Sequence, residues 1–190
     1  MNLPNKLTVL RMAMIPLFLV FMLISPEKLS ATYLIALVVF ALASLTDMLD
    51  GKIARKHGLI TDFGKLMDPL ADKLLVMSAL VVFVELGWVP GVVVIVILAR
   101  EFLVTSVRLI AAGKGTVLAA DKWGKMKTVS QMIWICYLLF ARWLIKLAIP
   151  ELLALVLVLL HYLLMALVVF LTLFSGFNYM KNNWDMFKDA

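Results

Sequence analysis

The sequence predicts an all-α integral membrane protein, built as a bundle of six transmembrane helices. Hydrophobic residues make up 64% of the 190 residues, whereas a soluble domain has about 45–50%. The apolar residues fall into six stretches of roughly the length that crosses a bilayer, and basic residues gather in the connections at one end. The length suits one domain over residues 1–190.

The predicted spans follow one another with short connections. They cover residues 7–25, 31–54, 68–87, 90–112, 127–148 and 151–178. The first resembles a signal peptide, but no small-residue cleavage site follows it, so we expect an uncleaved span. Pro16 lies within that span and is expected to kink it. Pro26, Pro90 and Pro150 lie at breaks, where a proline can begin the next helix without losing a hydrogen bond.

The net charge of +6 is distributed unevenly. The N-terminus, the connections between spans 2 and 3 and between spans 4 and 5, and the C-terminal tail carry most of the lysines and arginines. The other side of the membrane has only Lys28, Arg142 and Lys146. Because basic residues collect on the cytoplasmic side of a membrane, we expect both termini to be cytoplasmic. The charge then sets the topology, and we expect no nucleic-acid partner.

Four aspartates lie at the predicted cytoplasmic ends of spans 2 and 3, where a carboxylate near hydrocarbon is costly unless it is paired, hydrated or bound to a cation. They are Asp47, Asp50, Asp68 and Asp72. On a helix, the first two are about 60° apart and one turn along the axis, and the other two are spaced i, i+4, so each pair shares a face. The short connection predicts that spans 2 and 3 are antiparallel neighbours and that the pairs converge.

Converging carboxylates repel one another, and cations are the physical remedy. Ligands that are all oxygen favour hard ions such as Mg²⁺, Mn²⁺ or Ca²⁺ over zinc. Four carboxylates exceed what one Mg²⁺ usually takes, so a pair of ions is favoured. Two metals about 3.5–4 Å apart suit phosphoryl displacement, because they hold both the attacking and the leaving oxygens.

Small residues and an arginine follow the first aspartate pair. Gly51 and Ala54 remove side-chain bulk from one wall of span 2, which predicts a notch for a flat group or a diphosphate; close helix packing is the alternative. Arg55 lies about 80° from Asp47 around the helix and adds a guanidinium donor. Gly64 precedes the predicted span 3 and could serve as a turn there.

These residues together form a motif. Their spacing matches every fixed position of the signature of the CDP-alcohol phosphotransferase family, which the chain resembles: Asp47-x2-Asp50-Gly51-x2-Ala54-Arg55-x8-Gly64-x3-Asp68-x3-Asp72. The resemblance implies a six-helix membrane fold, usually a homodimer, with two divalent metal ions, Mg²⁺ or Mn²⁺. It also implies that an alcohol acceptor displaces CMP from a CDP-linked donor.

The resemblance implies a role for each residue of the motif. The four aspartates bind the metals, and Asp72 is also the general base. The CDP pocket is formed by Gly51, Ala54, Arg55 and Gly64. A carboxylate can take the proton of the acceptor alcohol as its oxygen attacks phosphorus in line. Since no serine, cysteine or histidine nucleophile is required, we expect direct displacement.

Charged residues of spans 4 and 5 indicate the chemical class of the acceptor. Arg100, Glu101 and Arg108 lie within or at the end of span 4, and an intramembrane arginine is a functional candidate by default. Lys125 and Lys127 lie in the first turns of span 5, near a helix N-terminus that favours anions. The cations predict a pocket for a phosphate monoester rather than for choline, ethanolamine or serine. A structural Arg–Glu pair and topological loop charge are the alternatives.

Further stretches resemble the bacterial phosphatidylglycerophosphate synthase subfamily. They are Asn2-Leu3-Pro4-Asn5-x2-Thr8-x2-Arg11, Arg100-Glu101 with Arg108, and Gly124-Lys125-x-Lys127-Thr128. The resemblance implies CDP-diacylglycerol as donor, sn-glycerol 3-phosphate as acceptor, and a bacterial cytoplasmic membrane with the active site facing the cytoplasm. The acceptor phosphate would meet Arg108, Lys125 and Lys127, with Arg100 and Thr105 in support.

Three alternatives stay open. Within the family, the acceptor could be phosphatidylglycerol, as in a cardiolipin-forming relative, or an inositol phosphate, which would use a similar basic pocket. In another class, a small transporter of metal ions or protons could also carry intramembrane acids and arginines. Against transport, the acids cluster at one end, and the distal halves of spans 2 and 3 are apolar.

Overall fold

The computed structural model describes residues 3–24, 31–57, 62–116, 118 and 121–184. Within these ranges, the side chains are described except at residues 3–4, 47–57, 62–63, 65–66 and 68–69. The described residues form an all-helical chain of six α-helices without a β-strand. The helices are α1 (Leu3–Leu23), α2 (Thr32–His57), α3 (Asp62–Glu85), α4 (Gly91–Gly113), α5 (Lys122–Ile145) and α6 (Glu151–Asn182).

Each predicted span corresponds to one observed helix, but three helices begin earlier than predicted, among them α1, which begins at Leu3, four residues before the predicted start of span 1. α3 begins at Asp62, six residues before the predicted start of span 3, and α5 begins at Lys122, five residues before that of span 5. An apolar stretch marks where a helix is surrounded by hydrocarbon, whereas the helix itself can continue into a polar region. Gly64 therefore lies inside α3 and is buried, so the interpretation of Gly64 as a turn before the helix is wrong.

Prolines precede two of the helices, as predicted. Pro90 and Pro150 lie directly before α4 and α6, with φ and ψ of −63° and 135°, and of −54° and 141°. Pro16 lies within α1, and Pro26 lies outside the described residues. Between α3 and α4 the chain turns at Gly87, whose φ of +68° is in the left-handed region that favours glycine.

The six helices share one apolar core. α1 contacts α2 and α3, α5 contacts α2 and α6, and α4 contacts α6. Each helix contributes at least one fully buried side chain, for example Phe18, Phe40, Phe83, Ile97, Trp134 and Val168. α3 also contacts α2, α4 and α5. The prediction that spans 2 and 3 are neighbours is confirmed.

The outer surface of the bundle is largely apolar. Along α6, large side chains are more than half exposed, for example Leu152, Leu155, Leu159, Leu163, Phe170 and Phe177. Among the described residues, α1, α5 and α6 are long and apolar enough to cross a membrane by length and composition. α4 is also apolar but carries Arg100, Glu101 and Arg108. An apolar exterior of this extent needs lipid or a partner to cover it, which supports a membrane protein.

Phe40→Ala is expected to lower the stability of the bundle more than Leu42→Ala. Phe40 is fully buried, whereas Leu42 on the same helix is 50% exposed. A Phe→Ala cavity in a packed core costs about 3–5 kcal/mol, and an exposed leucine loses few packing contacts. Thermal unfolding in detergent, followed by circular dichroism, measures both variants. Equal melting temperatures would show that Phe40 is not part of the core.

Candidate active site

The aspartate motif occupies the end of α2 and the beginning of α3. Six of its residues have a described helical backbone and side chains outside the described part of the structure: Asp47, Asp50, Gly51, Ala54, Arg55 and Asp68. The two aspartates of each pair share one face only if the backbone there is helical. The metal contacts and the CDP contacts of these side chains stay predictions.

Asp72 is the metal-ligand candidate whose side chain the structure describes. It is half-buried in α3 and lines a small cavity between α3, α4 and α5. This Asp72 cavity is lined by Asp72, Lys73, Val76, Met77, Glu101, Lys127, Thr128 and Gln131. The predicted general base thus lies in the same cavity as Lys127, one of the cations predicted to bind the acceptor phosphate.

Glu101 joins two of the predicted cations. Its Oε1 atom accepts hydrogen bonds from Lys127 Nζ at 2.6 Å and from Arg100 Nη1 at 3.0 Å. The Lys127 side chain is 2% exposed, and that of Arg100 is 11% exposed. A buried ammonium group needs a counter-charge because water no longer stabilises it, and Glu101 supplies that charge. The structural Arg100–Glu101 pair that the sequence left open is therefore present, and it extends to Lys127.

Two glycines make room for the Arg100 side chain. A Cβ atom added to Gly124 of α5 would lie 2.9 Å from Arg100 Nη2, and one added to Gly176 of α6 would lie 3.2 Å from Arg100 Cγ. Arg100 therefore reaches from α4 to both α5 and α6. Gly124 belongs to a stretch that the sequence analysis quoted as a motif, and the close approach of Arg100 gives that glycine a packing role.

Thr105 contacts a lysine that was not predicted to belong to the site. Lys73 Nζ donates a hydrogen bond to Thr105 Oγ1, and that hydroxyl donates to the backbone oxygen of Glu101 at 2.8 Å. Lys73 follows Asp72 in the chain and lines the same cavity. Lys73 lies inside predicted span 3, and a lysine within a membrane span is costly unless it has a role. This position was the sequence signal that could have indicated Lys73 as a site residue.

Arg108 and Lys125 are exposed and do not line the Asp72 cavity. Arg108 Nε donates to Tyr179 Oη of α6 at 3.3 Å, and the guanidinium carbon lies 5.7 Å from the centre of that ring. Of the four predicted acceptor cations, Arg100 and Lys127 are mostly buried and both contact Glu101, so we call them the inner pair. Arg108 and Lys125 are exposed and form the outer pair.

The donor chemistry of the motif fits divalent metal ions. Its predicted ligands are carboxylates, and carboxylate oxygens are the ligands that Mg²⁺ and Mn²⁺ prefer. Among the described side chains there is no group of three or more acids, histidines or cysteines that could hold a metal. A metal site at Asp72 therefore depends on the aspartates whose side chains are not described.

The fold and the cavity define a class of protein, a helical membrane enzyme with a carboxylate and buried cations at one site. Residues 1–174 match the family model described as CDP-alcohol phosphatidyltransferase, and the chain belongs to this family. The family that the aspartate motif indicated is therefore confirmed.

Curated relatives are similar to the chain over most of its length. The CDP-diacylglycerol–glycerol-3-phosphate 3-phosphatidyltransferase of Bacillus subtilis is 41% identical, and the alignment covers 100% of this chain and 98% of the relative. The protein of the same name from Rickettsia bellii is 36% identical over 95% of this chain and 94% of its own length. A probable phosphatidylglycerophosphate synthase of Mycobacterium tuberculosis is 42% identical over 70% of this chain and 63% of its own length.

Glu101→Gln is expected to destabilise the protein, because it leaves the buried Lys127 ammonium without its counter-charge. Removing one partner of a buried ion pair costs about 3–5 kcal/mol. The double variant Glu101→Gln with Lys127→Met removes both charges, so it should recover most of the stability but not the activity. Thermal unfolding in detergent and CMP release measure the two effects. A single variant as stable as the wild type would contradict the ion pair.

Gly124→Ala is expected to lower activity about tenfold with little loss of stability. The new Cβ would lie 2.9 Å from Arg100 Nη2, so the flexible guanidinium would move away from Glu101 and lose a charge-assisted contact of about 1.5 kcal/mol. Gly113→Ala is the matched control, because a Cβ there meets no atom within 4 Å. Equal initial rates for the two alanine variants would show that the position of Arg100 does not matter to the reaction.

Proposed function

We propose that this protein transfers the phosphatidyl group of CDP-diacylglycerol to sn-glycerol 3-phosphate, forming phosphatidylglycerophosphate and CMP. The observation that carries the proposal is that Asp72 and Lys127 line one cavity. The identity of the substrates is supported by the name of the B. subtilis relative, which is 41% identical over the full length of this chain.

The donor half of the proposed site lies on α2 and α3. Two divalent ions, Mg²⁺ or Mn²⁺, would be held by Asp47, Asp50, Asp68 and Asp72. When bound, such ions neutralise a diphosphate and stabilise charge on the oxygens around phosphorus. The CDP group would be bound by Gly51, Ala54, Arg55 and Gly64. The Arg55 guanidinium suits this position, because its planar fork can donate two parallel hydrogen bonds to phosphate oxygens.

Asp72 is the proposed general base. Its carboxylate takes the proton of the primary hydroxyl of the acceptor as that oxygen attacks the phosphorus that carries the diacylglycerol. A bond forms between phosphorus and the glycerol oxygen, the bond from phosphorus to CMP breaks, and the proton passes from Asp72 to solvent. A half-buried carboxylate in a cavity fits this role because it can face a bound alcohol from which bulk water is largely excluded.

The inner and outer cations serve the acceptor phosphate in different ways. Lys127 gives one of its three N–H donors to Glu101, and the proposal assigns another of them to the acceptor phosphate. Arg100 adds positive charge, and Thr105 holds Lys73 beside the cavity. Arg108 and Lys125 are exposed and would attract the soluble acceptor from the cytoplasm.

We also propose a six-span topology in a bacterial cytoplasmic membrane, with both termini and the active site on the cytoplasmic side. The six helices, the apolar exterior and the uneven basic charge support it. In this arrangement the lipid donor enters from the bilayer and the acceptor from water. We also propose that the protein is a homodimer, because the family resemblance implies one.

Purified protein in detergent with Mg²⁺ and CDP-diacylglycerol tests the proposed reaction. Asp72→Asn is expected to lower CMP release by about 10²–10⁴-fold, the usual effect of a general base. Asp121→Asn is the matched control, because Asp121 accepts a hydrogen bond from Asn178 and does not line the cavity. Acceptors to compare are glycerol 3-phosphate, inositol phosphate, inositol, serine and phosphatidylglycerol.

The lipid product separates the alternatives. If lipid product forms with glycerol 3-phosphate and with no other acceptor, the result supports the proposed donor and the proposed acceptor. A higher rate with another acceptor would contradict the roles given to the inner and outer cations, while the CDP-dependent chemistry would stand. If folded, metal-loaded protein released no CMP with any acceptor, the enzyme proposal would fail and the transporter alternative would be favoured.

A further inference from the structure

Gln131 is a buried polar residue in the wall of the Asp72 cavity. It is 2% exposed, and its Nε2 atom has no hydrogen-bond partner among the described residues. A buried donor without a partner is costly, and buried amides in folded proteins are almost always paired. Gln131 therefore indicates a group that is bound in this cavity and accepts a hydrogen bond from it.

Gln131 shares a face of α5 with Lys127, since the two residues are spaced i, i+4. Lys127 lies one turn closer to the predicted cytoplasmic end, and Asp72 faces the same cavity from α3. A cation, a carboxylate and a neutral amide thus surround one small space. Each suits a different chemical group: the cation suits a phosphate, the carboxylate suits an acidic proton, and the amide suits a hydroxyl.

We propose that Gln131 is a specificity-determining residue, whose side-chain nitrogen donates a hydrogen bond to the C2 hydroxyl of the acceptor. The proposal rests on the proposed function. When the primary hydroxyl lies at Asp72 and the phosphate lies toward Lys127, the C2 hydroxyl is on the carbon between these two groups. That hydroxyl would satisfy the buried Nε2 donor. It plays no part in bond making, so the contact selects the acceptor without altering the chemistry.

The contact would make the enzyme discriminate against an acceptor that lacks the C2 hydroxyl. 3-Hydroxypropyl phosphate keeps the primary hydroxyl, the three-carbon length and the phosphate, but it leaves Gln131 Nε2 unpaired. Sites built to bind a substrate hydroxyl reject analogues without it far more strongly than apolar pockets reject an extra methylene. We therefore expect kcat/KM to be on the order of 100-fold higher for glycerol 3-phosphate in the wild type, which is the size of the penalty for an unpaired buried donor.

The experiment measures kcat/KM for both acceptors in the wild type and in two variants of Gln131. Gln131→Met keeps the length of the side chain without its polar atoms, and Gln131→Asn withdraws the amide by one methylene. Both variants should lose most of the rate with glycerol 3-phosphate. The preference, which is the ratio of kcat/KM for glycerol 3-phosphate to that for 3-hydroxypropyl phosphate, should then fall to about threefold or less, as expected when no hydroxyl is recognised. Val129→Met is the matched control, because Val129 is 56% exposed on the outside of α5; it should keep the wild-type preference.

Several results would overturn the proposal. Equal use of the two acceptors by the wild type would do so whatever the variants show. A Gln131→Met protein that keeps the wild-type preference would also overturn it. The same holds if Gln131→Met lowers kcat/KM equally for both acceptors and raises the KM for CDP-diacylglycerol. Failure of the wild type to use either acceptor would instead contradict the proposed function itself.

Discussion

A charge buried in an apolar helical bundle must be paired, and this constraint organises the centre of the protein. Lys127 is almost fully buried, and Glu101 lies within hydrogen-bonding distance of both Lys127 and Arg100. Removing either side of such a network leaves an uncompensated charge in a low-dielectric region. The bundle accommodates the network with small residues, since Gly124 and Gly176 leave the space that Arg100 fills. Three helices are thereby fixed relative to one another at this point.

In the proposed function, the same network also binds the anionic acceptor. Among the described side chains, Lys73, Lys127, Asp72 and Glu101 line the cavity, and Arg100 pairs with Glu101. In the proposed site, Glu101 positions the inner cations, and the acceptor phosphate binds to them. In the proposed reaction, the carboxylate of Asp72 takes the proton of the acceptor hydroxyl. The proposed function thus uses one arrangement of charges both for stability in the apolar bundle and for binding a phosphate-bearing alcohol.

The six helices could be predicted because each apolar stretch is long and bounded by polar residues. Three of the helix starts could not, since α1, α3 and α5 extend past the apolar stretch by four to six residues. The aspartate motif was found because i, i+3 and i, i+4 spacing is local. The roles of Gln131, Lys73 and Gly176 could not be predicted, because they depend on contacts between α3, α4, α5 and α6. Only the packed structure brings those helices together.

The proposed function depends most on the transfer of the phosphatidyl group in a single displacement. A CDP-diacylglycerol made chiral at the transferred phosphorus with oxygen isotopes tests it most directly. The configuration of the phosphatidyl phosphorus in the product would be determined by phosphorus NMR. A single in-line attack by the acceptor oxygen predicts inversion. Retention would require two successive displacements through a covalent enzyme intermediate, and it would contradict the account.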